Sequence, residues 1–435
     1  GNSKDFAMHP IIKPSAIALL VIAGQTHAAG FQLAEQSATG LGRAFAGEAA
    51  IADNASVLGR NPGAITRFKQ TAFSGGFIYI RPQVDIEGRV SDKFVTPVGS
   101  LPTGNKSADA SDVAGDAWVP NLYLVTPLNE LLSLGLSLSS QYGLGIEMPK
   151  GYSAGHFGNV SDIKTVELGT ALAYQFTPFF SAGMGLSLIR GEGEVGGTFP
   201  HQDKIAKHLE GTGNELGWNI GVLLTPSERT RIGLTYRNGV DLKLKGDAVG
   251  VDDQGQTFKD TGNLVLPLPA TAELALLQQL TDKLALHGSV NWTNWSKFVG
   301  LDASLDHQGP MHIKDENWQD SWRYALGMTY QVAPKWQLRS GIAYDESPVP
   351  AANRTISIPD SDRIWYSLGV GYQYSKALSV DVGVTLIDGK KVGVHESFTQ
   401  SVRLPNGVPA HYQSNFDGTS EGDAWLAGAQ LSYLF

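Results

Sequence analysis

Ten histidines, an acidic run near position 345 and a complete lack of cysteine are the material from which any chemistry would have to be built. The histidines do not gather. His9 and His27 fall in the first 28 residues and His287 in an alternating segment. His156, His201, His208, His307, His312, His395 and His411 fall in long polar stretches, where they read as surface imidazoles rather than metal ligands. There is no Gly-x-Ser-x-Gly elbow, no His-Glu-x-x-His, no phosphate loop and no cysteine pair. Asp345 and Glu346 with Asp360 and Asp362 supply enough carboxylate for calcium but lack the regular ligand spacing of a calcium loop. A barrel hydrolase needs only a lone Ser and His on its rim, so residue types alone leave that class open. The sequence offers no enzyme, cofactor or metal site with a recognisable pattern.

Composition points to a different use of the chain. Of 435 residues only 17% are charged and 51 are glycine, with a formal net charge of -9. Low charge together with a slightly negative mean hydropathy suits a barrel with an apolar outer face and a lumen of small polar residues. The acidic balance and the lack of a basic cluster argue against a nucleic-acid partner.

The dominant signal is alternation with period two. Leu134, Leu136 and Leu138 interleave with Ser133, Gly135 and Ser137, and Met184, Leu186 and Leu188 with Gly183, Gly185 and Ser187. Tyr324, Leu326, Met328 and Tyr330 repeat the pattern, and the chain closes on Trp425 to Phe435 in the same rhythm. Such strands meet two environments. In a soluble protein the wet face would carry Lys and Glu, whereas here it carries chiefly Gly, Ser and Thr, with the charges mostly in the connections. Aromatic residues such as Tyr79, Trp118, Tyr236, Trp292 and Tyr372 mark strand ends, as interfacial girdles do. Hydrocarbon tolerates no open sheet edge, so the sheet must close. A soluble repeated β fold is the alternative. Short turns alternate with seven long polar connections, at 86–116, 145–163, 191–213, 238–262, 299–319, 345–363 and 388–422. The expected fold is all-β, a transmembrane antiparallel barrel of about 14 strands. Phe73 to Arg81 reads as its first strand, with Pro82 as breaker.

Two segments precede the barrel. Residues 1–28 read as a leader: Met8 as a natural start, Lys13, the apolar run Ala16 to Ala23, and cleavage after Ala28. Residues 29–70 show no strand-length alternation and read as short helices and loops that need a larger body, placing them in the lumen as a hatch. Residues 71–435 form the barrel.

Three groups of residues resemble the FadL family of outer-membrane long-chain fatty acid transporters. The first comprises Ala29-Gly-Phe-Gln-Leu33, Ser37 to Glu48, Ala52-Asp-Asn54 and Arg60-Asn-Pro-Gly63. The second is Ala117-Trp-Val-Pro-Asn121 with Ser140-Gln-Tyr-Gly-Leu144. The third runs from Asp345-Glu-Ser-Pro-Val-Pro350 through Asn353-Arg354 to Ile358-Pro-Asp-Ser-Asp-Arg363 and Trp365. The resemblance implies a monomeric barrel in the outer membrane of a Gram-negative bacterium. It would take up long-chain fatty acids and similar hydrophobic compounds passively and release them sideways into the bilayer.

By the same resemblance, Ala29, Gly30 and Phe31 belong to a pocket-adjacent N-terminus, and Lys314 to the position that meets the carboxylate. Asn61, Pro62 and Gly63 belong to the hatch motif, where the family usually has Ala in place of Gly63. Ser140, Gln141, Tyr142 and Gly143 mark the kinked third strand and lateral opening. The second basic residue of the pocket has no counterpart legible here. The charged 191–213 stretch is shorter than the family's groove-forming insertion, and 396–421 is longer than expected. A channel for aromatic hydrocarbons or other small hydrophobic solutes is the alternative, and an adhesin, phage receptor or structural barrel a third class.

Overall fold

The computed structural model describes residues 30–200 and 204–435. The leader at 1–28 and the position of Ala29 lie outside the described residues. The body is a closed antiparallel barrel of 14 strands. In chain order these are β1 (Ala72–Thr96), β2 (Ala117–Pro127), β3 (Leu132–Ser139), β4 (Val160–Thr177), β5 (Phe180–Thr198), β6 (Ile205–Ser227) and β7 (Thr230–Arg237). The second half is β8 (Thr271–Gln279), β9 (Leu284–Thr293), β10 (Ser321–Ala333), β11 (Trp336–Asp345), β12 (Arg363–Gln373), β13 (Leu378–Gly389) and β14 (Pro409–Leu434). Each pairs with its sequence neighbours, and β1 closes the ring on β14 from Ala72↔Leu434 to Val95↔His411. No helix among the described residues is long and apolar enough to cross a membrane.

The alternation resolves as its chemistry requires. Met184, Leu186 and Leu188 are exposed on the outside, as are Leu326, Leu368 and Trp425, while Leu426, Gly428, Gln430 and Ser432 of the last strand point inward and are buried. Paired aromatics band the wall: Tyr79 with Trp118 at 4.8 Å, Trp218 with Tyr236 at 5.7 Å and Trp336 with Tyr372 at 4.5 Å between ring centres. An apolar exterior of this size is stable only against lipid.

Three sequence expectations are corrected. Much of the long polar connections is strand rather than loop. Pairs such as Val240–Val251 with Thr257–Leu268, and Gly300–Leu305 with Gly309–Asp315, extend the wall outward, as does Val392–Arg403 against β14. The 191–213 stretch is likewise the outer end of the β5–β6 hairpin, with Glu194 opposite Glu210. Polar residues on the wet face of these extensions hid their period. Pro82 does not break β1, where it pairs with Ala424. Pairing of β1 with β2 ends at Ile80↔Ala117, so the missing N–H at Pro82 falls beside an edge the ladder has left. Finally, some charges sit inside the strands: Glu273, Arg323, Arg339 and Asp381 are inward-facing and buried.

Those charges explain where residues 30–70 go. This segment folds into α1 (Ala38–Leu41), α2 (Glu48–Ile51) and two 3-10 turns, Ala55–Gly59 and Pro62–Arg67. All pack on inward strand faces. Arg60 pairs with Glu273 at 2.9 Å. Arg43 pairs with Glu48 and Asp53, each at 2.6 Å. Asp381 accepts from Arg339 at 2.8 Å and from Thr39 at 2.7 Å. Buried ions are tolerated here because each has a partner.

Candidate functional site

The wall is interrupted at β3. Its ladder with β4 runs to Ser139↔Glu167 and resumes at Gly143↔Lys164, so three residues on one side face two on the other. This extra residue is a bulge, and it reverses the inside–outside phase of the strand. Hydroxyls replace the lost ladder bonds: Ser140 Oγ donates to the carbonyl of Thr165 at 2.7 Å, and Thr165 Oγ1 donates to the carbonyl of Tyr142 at 2.8 Å. On the other side, β2 pairs with β3 only from Leu122↔Leu138 downward. The wall closes again where Glu147 N donates to Val113 O at 2.9 Å. Between these limits lies a window spanning roughly 25 Å of strand edge. Pro120 sits on the β2 margin of the window, where a missing donor is harmless. Gly143 itself is not sterically required, since a Cβ there would make only ordinary contacts, the nearest at 3.5 Å.

The first described residues lie across this window from inside. Leu33 N donates to Gln141 O at 2.7 Å and Gly143 N donates to Phe31 O at 2.9 Å. Gly30 is held by Asp360 Oδ2, 3.2 Å from its N–H, and has φ +67°. An added Cβ there would lie 2.7 Å from Trp295 and 2.8 Å from Trp318, so the position requires glycine on two counts. The Asp345–Arg363 motif thus acts as an anchor: Asp360 also takes Ser347 Oγ at 2.6 Å and pairs with Arg363, while Asp362 accepts Ser347 N and the Tyr344 hydroxyl. These carboxylates are committed to hydrogen bonds rather than arranged as calcium ligands.

Phe31 leads from the window into an apolar chamber. Its ring meets Trp295 at 4.6 Å, Phe298 at 5.7 Å and Trp318 at 5.9 Å, all in edge-on or tilted contacts. Beyond it a narrow cavity of about 40 Å³ is lined by Leu144, Ile163, Leu244, Leu264, Leu301 and Ile358. Charge appears at one region of the lining, where Lys207, Lys314 and Glu316 join Ser357. Lys314 lies in the short strand Gly309–Asp315, hydrogen-bonds Ser357 and faces Glu396 at 3.7 Å. Lys207, on the outer extension of β6 well beyond its lipid-facing Leu216, donates to Ile313 O at 3.3 Å. Burial, with Lys314 beside it, pulls the Lys207 amine down to about 8. Burial also raises the Glu316 carboxyl.

Asn61, Pro62 and Gly63 pack against β5 and β6. Asn61 is fully buried; its Oδ1 accepts Gly63 N at 2.9 Å and its Nδ2 donates to Ala49 O and Val222 O at 2.8 and 3.0 Å. Pro62 opens the 3-10 turn that Asn61 caps. A Cβ on Gly63 would come within 2.4 Å of Gly221 O, which explains glycine where the family pattern has alanine.

The described site residues therefore fall into two neighbouring groups. Gly30, Phe31, Lys314 and the Ser140–Gly143 break surround one chamber and its window, whereas Asn61 to Gly63 lie apart, beneath them. Sequence reasoning missed Lys207, whose neighbour in space is more than a hundred residues away. It also misplaced His156, which is buried rather than on the surface. His156 Nε2 lies 2.7 Å from Ser414 Oγ, and its ring packs on Phe157 at 4.7 Å and Phe398 at 5.2 Å, because the 148–159 loop folds under the Val392–Arg403 arm.

A transmembrane β-barrel with an occupied lumen, an interrupted wall and an apolar chamber behind the interruption is the class this geometry defines. The family model described as outer membrane protein transport protein (OMPP1/FadL/TodX) matches residues 19–435. The chain is 37% identical over 458 residues to a long-chain fatty acid transport protein of Escherichia coli O6:H1 (strain CFT073), covering 97% of each. Among solved structures, a Pseudomonas aeruginosa FadL homologue superposes with a TM-score of 0.81 at 23% identity, over 94% of this chain and 100% of that one. The P. putida toluene transporter TodX superposes at 0.59 and 16% identity, over 88% and 94%. The chain belongs to the OMPP1/FadL/TodX family, and its barrel is one of the Gram-negative outer membrane.

Proposed function

We propose that this barrel is a non-enzymatic channel that takes up long-chain fatty acids and similar hydrophobic compounds passively and releases them sideways through the window at β3. The observation that carries the reading is the continuity from the Lys207–Lys314 end of the chamber, through the Phe31 ring, to the interrupted wall. Burying an acyl tail among these side chains is favourable by about 0.8 kcal/mol per CH₂. The lysines offer N–H donors to the polar head, a feature that a monoaromatic hydrocarbon would not need. Residues 30–70 act as the hatch that blocks polar solutes, held by the Arg60–Glu273 pair and the Thr39–Asp381 hydrogen bond. The name of the E. coli relative supports the fatty-acid reading.

One observation favours the alternative of an aromatic solute. Phe31 stands edge-on in a nest of three aromatic side chains, a setting that a small free ring could share. Uptake of oleate and of toluene, measured in cells lacking their own transporters and carrying this gene, separates the readings. Oleate uptake above empty vector is expected. Toluene uptake alone assigns the aromatic channel, and uptake of neither favours a surface role such as adhesin or phage receptor.

A further inference from the structure

We propose that the polar end of the chamber binds a fatty acid together with one proton, shared between the ligand carboxyl and Glu316, so that the cargo reaches the window as the neutral acid. This rests on the fatty-acid reading above. Four charged groups converge there from three elements: Lys207 from β6, Lys314 and Glu316 from the Gly309–Asp315 strand and its end, and Glu396 from the Val392–Arg403 arm. Glu194 of β5 lines the same cavity but is taken up by His208, 2.8 Å away.

Two lysines and two glutamates already balance, so a carboxylate entering alone would leave an unpaired negative charge in an apolar surrounding. The glutamates are not equivalent. Glu396 Oε2 accepts Ile356 N at 3.1 Å and its Oε1 faces Lys314. Glu316 is 1% exposed; its Oε2 accepts the Trp318 indole N–H at 3.0 Å, but its Oε1 is buried with no hydrogen-bond partner among the described residues. A buried acceptor without a donor is costly, and a donor from the ligand would remove that cost. A carboxylic acid supplies one. Two carboxyls in one buried site share a single proton rather than both ionising. The proton is taken from solvent on binding and leaves with the acid, the form that enters hydrocarbon without a charge penalty.

The test measures laurate and 1-dodecanol binding to the full barrel in lipid nanodiscs from pH 6 to 9, with binding to empty discs subtracted. Each profile is recorded for the native chain and for Lys207→Arg, whose guanidinium stays charged and removes the lysine's own titration, with native dodecanol affinity as the check that the arginine leaves the pocket intact. Dodecanol, a neutral donor and acceptor, should bind independently of pH. Laurate affinity should fall about tenfold per pH unit once the free site has lost its proton. Adding Glu316→Gln, whose amide donates permanently, should flatten the laurate profile and preserve affinity at pH 9, and dodecanol binding verifies that the variant is folded. A flat laurate profile before Glu316 is changed overturns the inference while leaving the pocket intact. Binding of neither ligand at any pH overturns the pocket reading, and the inference with it.

Discussion

Gly143 donates its backbone N–H to the carbonyl of Phe31 across 2.9 Å, joining the strand that resumes after the wall's interruption to the residue whose ring stands in the apolar chamber. A displacement of either is felt by the other. Chamber and window are thus joined through the Phe31 segment.

The anchor of that segment is the most direct place to disturb it. Gly30→Ala puts a methyl within 3 Å of two tryptophans in a backbone conformation that alanine disfavours. Oleate uptake by this variant should fall several-fold, while the barrel keeps its heat-modifiable migration on denaturing gels. Normal uptake would show that the position of this segment is immaterial.

The proposed hatch depends on Asn61. Asn61→Ala leaves two buried carbonyls without a donor and removes the cap of the 3-10 turn, at a cost of about 2–3 kcal/mol. Single-channel recordings should show larger and more frequent ion-conducting openings, with lower thermal stability. Gly63→Ala should act in the same direction, because the backbone of β6 occupies the space of the new methyl.

A pH dependence follows from Glu35, buried in the lumen. Burial raises its carboxyl from an ordinary 4.5 to about 7. The native state therefore keeps this proton to a higher pH than the unfolded chain. The contribution to stability is fully present below 4.5 and is lost as pH rises through 7, amounting to roughly 3 kcal/mol. Thermal unfolding in detergent should show native protein more stable at pH 5 than at pH 8, and Glu35→Gln should remove most of the difference.

Much of this was legible in the sequence, for a physical reason. Lipid outside and small polar residues inside write a period of two, so strands such as Phe180–Thr198 and the closing Trp425 to Phe435 could be read directly. The outer extensions were not, since above the membrane the outward face carries charged side chains, as Asp241, Lys243 and Lys245 do beside inward Leu242 and Leu244, and the composition reads as a loop. Glu273 and Asp381 were invisible as partners of the 30–70 segment because Arg60 and Thr39 are hundreds of residues away. Lys207 was missed for the same reason. The β3 interruption carried a local signal in Ser140 to Gly143, but its cause lies in register, one residue more than β4 can match.

That register defect gives the sharpest test of lateral release. Deleting Gln141 equalises β3 and β4, so that Ser139↔Glu167 and Gly143↔Lys164 join in one ladder and Leu144 still faces inward. The measurement is the oleate uptake rate of cells carrying the deleted protein, with laurate binding to the purified barrel as proof that its chamber is formed. Uptake at least tenfold lower than that of the unaltered protein, with binding retained, is the predicted result. Uptake at the unaltered rate with the β3–β4 ladder made continuous would contradict the account.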